Sequence, residues 1–388
     1  MKKVICFLAV LITFVAAFQL FRQKEGVENE SYTINLRHNK SYHDETDELI
    51  YKGLLWSFSQ VGATLPKKTT ARGIEKVTDT LWRIDVSKLG FRPVVLEKWR
   101  RIIAAAKNTQ EYHLYGSIML NRFVICSIYA SNHYYEMVQA PKTYSEFLHP
   151  SVNASSKAEY AVEISSVSKG ERLIRMDTTV EAITAQQFIA VEGSGHFSQG
   201  NFKEELFELI DMMPNGQLRY LIYSHNGRLV NASPNSYGDA GKPAKCMWCH
   251  ESYLLDNFMS TPNIKGYLNY EQFVSLNKRN NDKLIKYRKQ LSTEINYENK
   301  KDHELAEIMY ISYMEPSAET LAFEWHLSIE EIRRHLAKLR THQHHEFPFL
   351  GQLYDRHEVD KLAPHKSVPI PKSIREPNDD EPNLLGAN

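Results

Sequence analysis

The chain has 388 residues, with 47 Lys and Arg against 47 Asp and Glu, so no net charge draws it to nucleic acid or to an acidic partner. With 42% hydrophobic and 24% charged residues, its composition is that of a globular protein rather than a disordered or fibrous one. Four cysteines are too few for a disulfide framework, and the length leaves room for two domains.

Residues 1–21 read as a signal peptide or anchor. Lys2 and Lys3 precede an apolar run from Val4 to Phe18, and Val15-Ala16-Ala17 offers a small-residue cleavage site. Left uncut, the run becomes a short membrane anchor, because Gln19 and Arg22 end it near the lower length limit for spanning. Residues 22–45 are polar and read as a linker. From Glu48 to Val61 the apolar positions recur at helical spacing, Thr80 to Val86 alternates as a strand does, and Glu97 to Ala106 is helical. Arg122 to Tyr129 is predicted as a second strand, with Cys126 a small buried residue on it. Ala158 to Ser166 and Glu171 to Met176 read as strand–loop segments, and Phe202 to Met212 as a strand or short helix before Pro214-Asn215-Gly216. Leu218 to Tyr223 and Arg228 to Asn231 flank Asn226-Gly227, a hairpin signal. Helix and strand mix here without regular βαβ alternation, which predicts an α+β domain over 46–235.

Next comes Cys246-Met247-Trp248-Cys249-His250. The pattern C-x-x-C-H is the attachment signature of a c-type haem. Three residues on a helix are just under one turn, so both sulfurs lie on one face, where they can form thioethers to the haem vinyl groups while His250 supplies the proximal iron ligand. Two other chemistries share the spacing. A zinc site wants a second ligand pair, whereas Cys6 and Cys126 are lone. A thioredoxin-like dithiol wants a helix start after a strand, whereas this motif follows a loop.

Strand signals fade after the motif. Asn269 to Gln290, Asp302 to Tyr313, Ser317 to Trp325 and Ile329 to Leu339 read as helices, with Ser328 and Glu331 forming a capping box. The last pair has no basic face, which argues against DNA. Residues 236–366 are therefore expected to form a mainly helical domain, and 367–388, rich in Pro, Asp, Glu and Asn, a disordered tail.

A haem held by His250 takes Met or His on its other face. Met314, just before Glu315-Pro316 where a helix ends, is the leading distal candidate; Met309, His326 and His335 are the others, while Met259 lies too close to His250 along the chain. His342, His344 and His345 cluster without a recognised metal spacing and read as a polar turn. Nucleotide loops, nucleophile elbows and H-E-x-x-H are absent, so the reading is an electron carrier rather than a catalyst.

The motif and the export signal together resemble an exported monohaem c-type cytochrome. Three further segments, Leu81 to Phe91, Met213 to Tyr220 and Asn226 to Pro234, precede the motif in that order. They are similar to a group of exported bacterial cytochrome-like proteins often found in planctomycetes. In that group an R-I-D-L strand, a P-N-G turn, a hairpin ending in A-P and a C-M-x-C-H box follow one another. The likeness spans roughly 50–255 and departs around Ala130 to Tyr135, where the group carries prolines. The resemblance implies an α+β N-terminal domain followed by a mainly α-helical cytochrome c-like domain. It also implies one haem c per chain, on Cys246, Cys249 and His250. The location implied is the periplasm or the outer face of the inner membrane, and the partner a redox protein. A haem-based sensor or ligand-binding module, with an open or weak sixth site, is the alternative function.

Overall fold

A computed structural model describes residues 31–148, 157–165, 167–178, 180–236, 238, 240–256, 258, 262–299, 301–377 and 381–386. The expected signal segment and Met259 lie outside these residues. Helix accounts for 40% and strand for 18%, arranged with two sheets, so the fold is α+β.

The first sheet holds β1 (Thr33–Arg37), β2 (Ile74–Thr78), β3 (Leu81–Asp85) and β4 (Ile118–Met119) in the order β2-β3-β1-β4. β1 runs antiparallel to β3, with Ile34 opposite Ile84, and parallel to β4. The span 22–45, expected as a linker, thus contributes an inner strand. Only Ile34 and Leu36 alternate inward, too short a pattern to rise above the polar residues around it. Helix α1 (Asp47–Gln60) starts where Thr46 accepts a hydrogen bond from Leu49 N, and α2 (Pro93–Lys107) has its proline at N1, where the missing N–H costs nothing. Between them Trp99, wholly buried, sits edge-on to Phe58 at 5.6 Å and tilted against Phe123 at 5.9 Å.

Arg122 to Tyr129 is not a strand. Leu120–Val124 forms helix α3, which widens into a π-turn over Ile125–Tyr129 before α4 (Ser131–Met137). All of these side chains are buried, and a short run apolar on every side carries no period to separate helix from strand. Cys126 is buried as expected.

The second sheet is an antiparallel meander of five strands, β5 (Lys157–Val162), β6 (Arg172–Asp177), β7 (Phe188–Ser194), β8 (Lys203–Met212) and β9 (Leu218–Ser224). The main hairpin is β8–β9, closed by Met213-Pro-Asn-Gly216, with Gly216 at φ 88° donating its N–H to Met213 O. Asn215 in this turn donates to Ser59 O and Ala63 O at the end of α1, tying the two halves together. At the expected Asn226-Gly227 hairpin the turn forms, with Gly227 N bonded to Ser224 O. Its second arm gives only an isolated bridge, Tyr223 to Leu229, because Leu229 N turns away to Lys142 O.

Among the described residues no strand follows Ser224. Helices α5 (Pro243–His250), α6 (Tyr270–Arg288), α7 (Lys301–Met314), α8 (Ala318–Trp325) and α9 (Ile329–His335) complete the fold. The Ser328–Glu331 capping box is present. One cluster of buried side chains runs from Ile34 to Leu385 without a break near 235, and a smaller one gathers α8 and α9.

The described residues of the segment expected as a disordered tail are anchored by packed side chains. Val368, Ile374 and Leu385 are buried, and Glu381 pairs with Lys242 at 2.9 Å, each about 2% exposed or less. Lys242 N also donates to Ile374 O, and Gly241 passes so close to Ile374 O that a Cβ there would stand 2.8 Å away. The low apolar content hid three well-spaced anchors that a composition average cannot resolve.

Candidate functional site

The five motif residues end a short helix, and the chain geometry around them explains why. Pro243 starts α5 at N1, and Glu251 and Ser252 take the left-handed conformation at φ 48° and 60°, which stops the helix directly after His250. Leaving the helix this way brings Tyr253 O to 3.2 Å from His250 Nδ1. A carbonyl only accepts, so the proton sits on Nδ1 and Nε2 keeps a free lone pair. Burial lowers the His250 pKa from 6.5 to about 4, so the ring is neutral at ordinary pH. A neutral imidazole with one nitrogen tied to a carbonyl is the state in which histidine ligates a metal.

Cys246, Cys249 and His250 all face one cleft between α5, α6 and the second sheet. The sheet wall follows from the period-2 alternation of β-strands. Arg172, Ile174 and Met176 of β6 point to this side, opposite Glu192, Ala190 and Phe188 of β7. Glu208 and Ile210 of β8 and Tyr220 of β9 continue the face. Ala190 is the small residue in the middle, and its missing bulk opens the space. Leu254, Phe258 and Phe273 form much of the other wall. Apolar walls with few polar groups are the usual lining of a cofactor site.

The polar groups are specific. Arg172, 6% exposed, bridges Glu192 at 2.5 Å and Glu208 at 2.6 Å. Burial, outweighing the nearby guanidinium, raises Glu192 to about 7. The Tyr220 ring lies 5.7 Å from the His250 ring, tilted 32°, and its buried hydroxyl meets no hydrogen-bond partner among the described residues. Burial raises the Cys246 pKa well above the ordinary thiol range and raises Cys249 as well. Reactive dithiols need the opposite shift, usually at a helix N-terminus.

The expected distal ligands stand elsewhere. Met314 lines a different cleft, with Trp248, His342, His344 and His345. Met309 is core, its sulfur packed against Gly53 of α1. His326 stacks on Tyr115 at 4.2 Å, and His335 is bonded to Glu331 O. His342 pairs with Glu315, and His344 accepts from Phe347 N, as a polar turn would. Among the described residues no group of three or more His, Cys, Asp and Glu could hold a bare metal ion. No described helix is long and apolar enough to cross a membrane.

Sequence reasoning missed Met176, Ala190, Tyr220 and the Arg172 cluster. The signal was present in Arg172-x-Ile174-x-Met176, but alternation gives a shared face without saying what that face meets.

No family model, curated protein or solved structure matches the chain.

Proposed function

We propose that the chain is an exported c-type cytochrome that binds one haem through Cys246, Cys249 and His250 and passes single electrons to a redox partner protein. The observation that carries this reading is the orientation of all three motif side chains into one apolar cleft, with His250 Nδ1 tied off and Nε2 free. The residues fit the group in two further ways: the Tyr220 hydroxyl meets no hydrogen-bond partner among the described residues, and Ala190 leaves room.

When bound, haem supplies a one-electron iron couple. The chain's own residues do the rest. Cys246 and Cys249 would hold the group through thioethers to its vinyl substituents, formed by addition of S–H across each double bond with no net oxidation. Tyr253 O fixes the ring orientation of His250 and makes it a stronger ligand. Leu254, Phe258 and Phe273 keep water from that part of the cleft. In this reading the helical segment 236–366 is the cytochrome c-like part, with β6 to β9 as the second wall. The N-terminal segment directs export, and the protein works in the periplasm or at the outer face of the inner membrane.

The raised thiol pKa values weigh against a dithiol oxidoreductase. Expression in a host that exports and matures c-type haems tests the choice. Haem stain should survive denaturing electrophoresis in the parent and vanish in C246A/C249A. An unstained parent with a reducible Cys246–Cys249 bond would establish the dithiol instead.

A further inference from the structure

We infer that Met176, on the sheet wall, is the second axial ligand, so that the iron sits between a helix and a β-sheet. The inference rests on the haem reading above. Among the described residues lining the cleft, His250 is the only imidazole and Met176 the only thioether. A soft sulfur donor suits haem iron, and pairing it with histidine raises the potential.

The register places the two donors apart. Met176, Phe188, Ile210 and Tyr220 are successive partners across β6, β7, β8 and β9, forming one row on the cleft face. His250 lies against Tyr220 at one end of that row and Met176 stands at the other. Three interstrand spacings put the Met176 and Tyr220 backbones ~14 Å apart, so the two donors approach the cleft from opposite ends of the row.

Met176 is also oriented rather than merely packed. It is 4% exposed, and Asn280 of α6 directs its amide N–H at the sulfur, at 3.9 Å. That contact takes up one lone pair of the sulfur, and the residue lines the cleft. The donor comes from a strand some seventy residues before the motif, so the sixth ligand belongs to the wall, and α5 brings the haem to it.

The test compares haem-loaded full-length protein with M176L and M259L; leucine is close to volume-conserving for the buried Met176, so the core there stays filled. The parent and M259L should be six-coordinate and low-spin when ferrous, with no spectral change under carbon monoxide. M176L should become five-coordinate, bind carbon monoxide near stoichiometrically, and lose the long-wavelength charge-transfer band of thioether ligation when oxidised. An unchanged M176L spectrum, the same losses in M259L, or carbon monoxide binding by the parent would each overturn the assignment. Covalent haem content, read on the denatured chains, separates these results from failure of the haem reading, in which the parent itself carries none.

Discussion

In the first sheet and its helices the space between elements is filled by large side chains, with Trp99 wholly buried among Phe58, Phe91 and Phe123. In the second sheet the face that carries Arg172, Ile174 and Met176 stops short of its cover, with Ala190 at its centre. Both sheets belong to one continuous core. Tight filling marks the first region, and an open cleft the second.

Two substitutions should break this contrast in opposite ways. Trp99→Ala removes the largest wholly buried side chain and should cost ~3–5 kcal/mol, read as a lower urea midpoint, with the haem spectrum of surviving protein unchanged. Ala190→Phe should do the reverse. It adds bulk to an open cleft, so the cost stays within the ~1–3 kcal/mol of overpacking while covalent haem falls most of the way to zero. Equal stability losses in the two variants, with haem retained by A190F, would mean that the cleft is ordinary core.

The charges of the cleft sharpen the contrast through pH. His250 titrates at about 4 in the fold against 6.5, because burial disfavours the imidazolium. The unfolded chain therefore binds that proton first, and the stability this residue contributes is present above about pH 6.5 and lost as pH falls through 4. Glu192 has the opposite sign: burial raises it from 4.5 to about 7, so its contribution is full below about pH 4.5 and lost as pH rises through 7. Urea midpoints of haem-free protein should show H250Q flattening the acid side and E192Q the neutral side. The smallest expected effect lies away from both sheets, where S328A removes an N-cap from α9 and should cost ~1 kcal/mol without touching the cofactor.

How much of this was legible in sequence depends on the range of the interaction that decides each element. Helix α1, strand β3 and the Ser328 cap rest on neighbours within a few residues, and periodicity finds them. The Cys246–His250 spacing is equally local. Strand β1 owes its place to β3 and β4, some fifty and eighty residues away, and α3 owes its form to burial on every side. The cleft is less legible still. Its wall is a register across four strands, and Met176 meets α5 only after that register is set. Met314 was favoured because a helix end near Pro316 can present a sulfur, which is sound local reasoning about a residue that faces the other side of the motif helix.

The packed C-terminal segment bears on how the protein is made. Lys242, the cap residue of the motif helix, is neutralised by Glu381, and Ile374 O holds its backbone. These contacts come more than 120 residues after the motif, and a chain emerges from its N-terminus onward. The helix that presents the two thiols therefore spends its early life without the segment that later fastens its base. Any enzyme that acts on those thiols while the chain emerges meets them before Ile374 and Glu381 have fastened the base of the helix.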